Sequence, residues 1–334
     1  MYDLLGLCLT LAALLCVNAV VTLFSMALWR LIEPHTRRLP ARSRASLLFV
    51  MRVLPALLSI ACALTLLVPS YVEYEPQHAN EPVSVKLALI AFASLACLGL
   101  AFWRGLAAWL ATRRLIADWM RHAERVEHEG LAIPAYRIRH PFPVVALVGL
   151  FRPRLFVAAG VLDALGREEL SAALAHETGH LAAHDNLRRW LLRACRDLLA
   201  VVPCGRALDK AWAEAAEAAA DERAVAAGGP TCALDLASAL VKIARLAPEG
   251  ARPNVPAGAF ILGDDSGGVV RRVRRLTQLA SRCPARERSR RRLPNFLALV
   301  CPALLLITAL LFAANAPVHA TVHAATERIV SALK

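Results

Sequence analysis

The sequence predicts a mainly α-helical membrane protein in which four transmembrane helices carry one α+β domain. Apolar residues make up 57% of the chain, and the mean hydropathy of +0.49 lies above that of ordinary soluble domains. Four apolar stretches are long enough to cross a bilayer, which takes roughly 20 helical residues. Between the third and the fourth lie residues 113–293, enough for one compact domain.

The four predicted spans differ in whether a charged residue or a proline interrupts the apolar sequence. The first has no charged residue and is too long for the apolar core of a cleaved signal peptide, so we expect a retained anchor. The second contains one charge, Arg52, and the fourth contains Pro302, which can kink a helix. The stretches are residues 4–29, 45–70, 87–103 and 296–314; the third is short, but residues 106–111 beyond Arg104 can extend it.

Arginines set the predicted orientation of these helices. Five arginines occupy the first loop and five precede the fourth span, whereas the second loop, residues 71–84, has three glutamates and no lysine or arginine. Basic loops remain on the cytoplasmic side. We therefore expect an inner-membrane protein with both termini outside, divided into a three-helix module (1–112), a cytoplasmic domain (113–293), the fourth helix (294–316) and a short external tail (317–334).

The charge and the cysteines exclude two other kinds of protein. The net charge of +13 comes largely from arginines beside the predicted spans, where they face anionic lipid headgroups. Direct nucleic-acid binding is not expected, because no basic patch with aromatic partners is present. The nine cysteines include no CxxC pair, so neither a disulfide framework nor a cysteine-based zinc site is indicated.

One segment of the predicted domain carries the chemistry. Residues 167–185, a helix-compatible run, contain His176-Glu177-Thr178-Gly179-His180, which reads HExxH. Two histidines four residues apart lie one turn apart on the same helix face. Their imidazoles can therefore share one Zn²⁺, with Glu177 beside them as general base for a water molecule.

A second predicted helix offers a third ligand. Residues 213–225 read AEAAEAAADERAV, a strong helix former that Gly228, Gly229 and Pro230 close. Glu217 and Asp221 are spaced i, i+4 and share a face of this helix. Glu217 can supply the third protein ligand, and Asp221 can hydrogen-bond a ligating histidine. The alternative is an acidic stripe that faces water.

Together, HETGHLAAHDNL and EAAADERAV resemble the paired motifs of the BlaR/MecR-type membrane zinc peptidases. The stretch from Pro143 to Val157 and the Glu168-Glu169-Leu170 lead-in are similar as well. The resemblance implies a zincin-like peptidase domain with one Zn²⁺ per chain, ligands His176, His180 and Glu217, and catalytic base Glu177. Asp185 and Asp221 occupy the positions of two aspartates that recur in that family.

Other segments of the predicted domain are less specific. Short strands are expected near residues 136–140, 144–150 and 155–158, and a charged amphipathic helix over 115–129. Residues 269–280 form a basic amphipathic helix that lies along the inner leaflet or on the protein surface. His319 and His323 are spaced i, i+4 in the external tail; weak metal binding is one interpretation, and a solvated helix face is preferred.

The function expected from these features is zinc-dependent endopeptidase activity on the cytoplasmic side of the membrane. By resemblance to BlaR/MecR, the substrate is a cytoplasmic winged-helix repressor, although the penicillin-binding sensor of that family is missing. One alternative is an HtpX-like protease of membrane-protein quality control. Another is a catalytically inactive signalling scaffold. The sequence names no oligomeric state and no activating signal.

Overall fold

The structure, a computed structural model, describes residues 2–76, 82–126, 133–201, 205–247, 266–281 and 315–333. Helices dominate it, and three long apolar rods come first in the chain. These are α1 (Tyr2–Thr36), α2 (Ala41–Cys62), which a π-helical turn (Ala63–Leu67) continues into α3 (Val68–Tyr74), and α4 (Val85–Met120). The predicted fourth span, residues 296–314, lies outside the described residues.

The surface of the three rods differs from that of a soluble bundle. Polar side chains such as Asn18 and Thr22 are buried. Large apolar side chains point outward: Phe24 is 66% exposed, Phe92 71% and Phe102 73%. Such a surface is costly in water and matches lipid tails. The arrangement, together with helix length and hydropathy, indicates a multi-pass membrane protein.

Arg52, the one charge within the second predicted span, has a partner in the fold. Its side chain is buried, and Nε donates to Oδ1 of Asp209 on α8 (Arg206–Leu246) at 3.1 Å. A charge within a membrane helix is costly unless it is paired. This ion pair therefore joins the membrane module to the domain.

Helix α8 is also long and apolar enough to cross a membrane. The helix is interrupted, however, because Gly229 has φ 81° and ψ −172°, next to Pro230. It also carries the fully buried Asp221 and packs against α2 through Trp212 and Ala216. We therefore assign α8 to the domain and not to the membrane.

A four-stranded sheet forms the other side of the domain. Its strands are β1 (Glu124–Val126), β2 (Ala135–Ile138), β3 (Val145–Val148) and β4 (Arg154–Ala158), in the order β1-β2-β4-β3. β2 and β4 are parallel, and the other two pairs are antiparallel. The prediction of a small sheet is confirmed. The helix predicted over 115–129 is right only as far as Met120, where α4 ends; β1 follows it, and residues 127–129 lie outside the described residues.

Further helices of the domain are α5 (Ala159–Ala164), α6 (Arg167–Ala183), α7 (Asp185–Asp197) and α9 (Ser266–Ala280). The last described helix, α10 (Ala316–Leu333), packs instead against α3 and the π-helical turn. Leu174 of α6 and Ile243 of α8 lie in one apolar cluster with β3 and β4. Asn186 of α7 donates to the carbonyls of Leu147 and Gly149, at 2.8 and 3.0 Å. These contacts fix α6 between the sheet and α8.

Both described ends of the chain lie at the opposite end of the rods from the domain. The hydroxyl of Tyr71 donates to the carbonyl of Tyr2 at 2.8 Å, and α10 packs beside them. At the other end of α2, the amide of Ala41 donates to Glu222 of α8 at 3.1 Å. Both described ends therefore lie at one end of the rods and the domain at the other.

Candidate metal centre

Helix α6 carries the HExxH motif between two well-defined ends. At its start, Glu169 accepts from the amide of Gly166 at 2.8 Å and from Ser238 and Lys242 of α8, which fixes the helix against its neighbour. At its end, His184 adopts the left-handed conformation with φ 54° and ψ 39°. The turn at His184 directs Asp185 back toward the motif.

The two histidines and Glu217 converge in the interior of the domain. The Nε2 atoms of His176 and His180 lie 3.1 Å apart. Glu217 of α8 places one carboxylate oxygen 3.6 Å from Nε2 of His176 and the other 3.5 Å from Nε2 of His180. These three side chains offer ligand atoms within 4.8 Å of one another, a spacing that one ion can bridge.

The chemistry of these three side chains fits Zn²⁺. Two imidazoles and one carboxylate are a common set of protein ligands for a catalytic zinc ion, with one position left open. Both oxygens of Glu217 are buried without a hydrogen bond in the described chain, although Arg272 lies 3.0 Å from one of them. Buried carboxylate oxygens require a compensating positive charge; Arg272 supplies part of it, and a bound metal ion would supply the rest.

An aspartate contacts the Nδ1 atom of each histidine, on the side of the ring away from the proposed metal. Nδ1 of His176 lies 2.9 Å from Asp221, and Nδ1 of His180 lies 2.8 Å from Asp185. A carboxylate at Nδ1 holds the proton on that nitrogen and leaves Nε2 free as the ligand atom. The structure thus brings together all six residues that the sequence singled out, since Glu177 lies in the same pocket.

Arg272 is the residue that the sequence analysis missed. It comes from α9, and its guanidinium reaches Asp221 at 2.7 Å, Glu217 at 3.0 Å and Nε2 of His176 at 3.3 Å. The basic helix predicted at the leaflet or the surface therefore also faces the centre. In the sequence, the acidic residues of α8 indicate that a positive charge is needed beside them. No feature of the sequence around Arg272 identifies this residue as its source.

Charges around the centre shift the pKa values of its members. Burial raises the pKa of Glu177 above its usual range, against the lowering effect of both histidines. For Glu217, burial raises the pKa, but Arg272 and the histidines outweigh it and hold the pKa at about 2. Glu217 is therefore ionised and ready to bind a cation, whereas Glu177 is held nearer to the pH at which a base exchanges protons.

A small apolar cavity opens beside Glu177. Its volume is about 30 Å³, and it extends the site toward β3 and the second half of α8. Apolar walls flank the polar atoms of Glu177 and Arg272. The lining includes Val145, Ala173, Leu236, Ala239, Leu240 and Ile243.

Close contact between α6 and α8 sets the position of Glu217. A Cβ atom added to Gly179 would lie 3.0 Å from Cα of Ala220 and 3.2 Å from its Cβ. Gly179→Val is expected to push the helices apart, to cost about 1–3 kcal/mol of stability through overpacking, and to weaken zinc binding. Thermal unfolding and zinc titration check this. Gly160→Val is the control, because its Cβ would meet nothing within 4 Å; equal loss in both variants would contradict the close-contact argument.

Comparison with known proteins gives one match. Residues 134–252 match the model of Peptidase family M48, which covers just over a third of the chain and includes His176, Glu177, His180 and Glu217. No curated protein and no solved structure matches. The match supports a membrane-associated metallopeptidase of family M48. It does not confirm the resemblance to the BlaR/MecR type, and it does not distinguish a signalling role from a quality-control role.

Proposed function

We propose that this chain is a membrane-anchored zinc endopeptidase that hydrolyses peptide bonds at the cytoplasmic face of the membrane. The convergence of His176, His180 and Glu217 beside Glu177 is the observation that supports the proposal. The family match supports a metallopeptidase independently of that geometry. An inactive scaffold explains neither the paired aspartates nor the buried carboxylates.

His176, His180 and Glu217 would hold the metal ion. When bound, Zn²⁺ supplies a Lewis acid that polarises the scissile carbonyl and lowers the pKa of water. Asp221 and Asp185 keep the two imidazoles oriented, so the ligands need little reorganisation. The protein thus provides a preformed set of three ligands and leaves the fourth position to water or substrate.

Glu177 performs the proton transfers. It lies next to His176 in the chain and is 6% exposed, and one of its oxygens is buried without a hydrogen bond in the described chain. The carboxylate would take the proton of the attacking water and deliver it to the nitrogen of the leaving amine. Because burial raises its pKa, the carboxylate is a stronger base toward the attacking water than an exposed glutamate.

Arg272 adds the positive charge that the reaction requires. Its guanidinium lies 3.3 Å from Nε2 of His176, from where it would stabilise negative charge on the carbonyl oxygen of a bound substrate. Arg272→Ala is expected to lower kcat by about 10²–10³-fold, the cost of removing one oxyanion donor, and Arg272→Lys to recover part of it. Kinetics on zinc-loaded enzyme check this. The control is Arg271→Ala, whose exposed side chain pairs with Glu214; unchanged kcat in Arg272→Ala would refute the role.

The membrane module restricts which substrates reach the site. The predicted topology puts the domain in the cytoplasm, and the structure places it at one end of the rods. Reporter fusions after Glu75 and Lys334 are expected to report outside, and a fusion at Pro248 to report cytoplasm. An external signal at Pro248 would contradict a cytoplasmic peptidase. Substrates would then be proteins at the inner leaflet or proteins that dock there.

Regulated cleavage of a cytoplasmic repressor is the role that we propose for this activity. A three-helix module precedes the domain, and Arg52 and Ala41 connect its second helix directly to α8, which carries Glu217. That connection offers a path by which an external signal reaches a ligand-bearing helix. Degradation of damaged membrane proteins is the competing role, and the identity of trapped substrates distinguishes the two.

A further inference from the structure

A second group of metal-binding side chains lies at the far end of the molecule. We propose that Glu75, His323 and Glu327 form a separate site for a divalent transition-metal ion such as Zn²⁺. Their ligand atoms lie within 4.8 Å of one another, and Nε2 of His323 is 3.9 Å from Oε2 of Glu75. The proposal does not depend on the peptidase activity.

This group is remote from the HExxH centre. Ala41, at the start of α2, contacts Glu222 beside the first centre, whereas Glu75 follows the last residue of α3. The helical run from Ala41 to Tyr74 contains 34 residues, which at 1.5 Å per residue spans about 50 Å. The two groups of ligands therefore cannot share one ion.

The fold holds the second group in place before any metal binds. His323 and Glu327 are spaced i, i+4 and share a face of α10. Val330 anchors this helix in an apolar cluster with Leu5, Leu9 and Leu87, and Ser70 donates to the carbonyl of His319 at 2.8 Å. The ring of His323 also stacks on Tyr74, with centroids 6.0 Å apart. A preformed site loses little entropy on binding.

The preference for solvated histidines in this tail is wrong. The side chains of His319 and His323 are only 13% and 21% exposed. Each faces a carboxylate from the end of the second rod, because His319 lies 3.3 Å from Glu73 and His323 lies near Glu75. Two histidines on one helix face thus meet two glutamates that follow each other closely in the chain.

The donor set selects the class of ion. One imidazole and two carboxylates suit Zn²⁺ and its neighbours in the transition series, whereas Mg²⁺ and Ca²⁺ prefer oxygen ligands alone. Glu75 is buried, and a buried carboxylate is costly unless its charge is offset. A divalent cation bound here would add positive charge beside both glutamates.

Zinc content of the full chain, purified in detergent and dialysed against a weak chelator, tests the proposal. The wild type is expected to hold two zinc ions per chain, and both His323→Ala and Glu327→Gln to hold one. Excess Mg²⁺ should displace neither ion. The control is Glu73→Gln, a neighbouring glutamate outside the group, which should retain two.

The outcomes separate this site from the first centre. His180→Ala should lose the other ion, and the double variant with His323→Ala should hold none. One ion in the wild type that His180→Ala loses and His323→Ala keeps, or two ions in both His323→Ala and Glu327→Gln, would show that the contacts are plain ion pairs and would overturn the proposal. Loss of an ion in His323→Ala together with full retention in His180→Ala would support this site and contradict the peptidase centre.

Discussion

Replacing Glu177 by glutamine is expected to lower the rate of proteolysis by about 10²–10⁴-fold, while the protein keeps its zinc and its fold. The amide has the size of the carboxylate but cannot accept the proton of the attacking water. Glu177 does not belong to the three-residue ligand group, so metal analysis should find the wild-type zinc content. The matched control is Glu168→Gln, an acidic residue in the first turn of the same helix, which should cleave normally.

The same variant identifies the substrate. Because Glu177→Gln binds but does not cleave, substrates should remain on it long enough for crosslinking and mass spectrometry. A DNA-binding repressor among the trapped proteins would support the signalling role. A broad set of damaged membrane proteins would favour quality control. Wild-type proteolysis by Glu177→Gln would show that the mechanism is wrong and would favour a different base.

Loss of zinc from ligand variants is the second large effect that we expect. His176→Ala, His180→Ala and Glu217→Ala each remove one of three protein ligands, so each should abolish tight binding at this centre. The measurement is cleanest in a His323→Ala background, which removes the proposed second site. His184→Ala is the control, since His184 ends the helix and does not belong to the ligand group. Zinc retained by Glu217→Ala would mean that another residue is the third ligand.

The aspartates should show a graded effect in the same assay. Asp221→Asn and Asp185→Asn keep the size of each side chain but weaken its hold on the imidazole. We expect zinc affinity to fall by about 10–100-fold, the usual cost of losing such a partner. Unchanged affinity in both variants would contradict the orienting role that the 2.9 and 2.8 Å contacts suggest.

Local periodicity explains which parts of this protein could be predicted from its sequence. The helix that carries His176 and His180, and the pairing of Glu217 with Asp221 on a second helix, depend on spacings of four residues within one element. The three described spans depend on length and hydropathy. These features follow from neighbouring residues alone, and the structure shows the same elements.

Contacts between distant elements could not be predicted in the same way. Arg272 enters the centre because α9 folds back onto α8, and no pattern within residues 269–280 distinguishes it from Arg271 or Arg275. The pairing of Arg52 with Asp209 likewise depends on the packing of α2 against α8. β1 was missed because its three residues follow a long helix without a turn signal, and tertiary pairing with β2 decides its conformation.

Metal-dependent cleavage of a peptide library tests the central claim most directly. The full chain is stripped of metal, divided, reloaded with Zn²⁺ or Mg²⁺, and incubated with peptides from a digested proteome; mass spectrometry then counts new termini. New termini are expected with the zinc-loaded wild type and not with the stripped, magnesium-loaded or Glu177→Gln protein. Equal cleavage by the stripped and zinc-loaded protein, or none by either, would contradict a zinc endopeptidase.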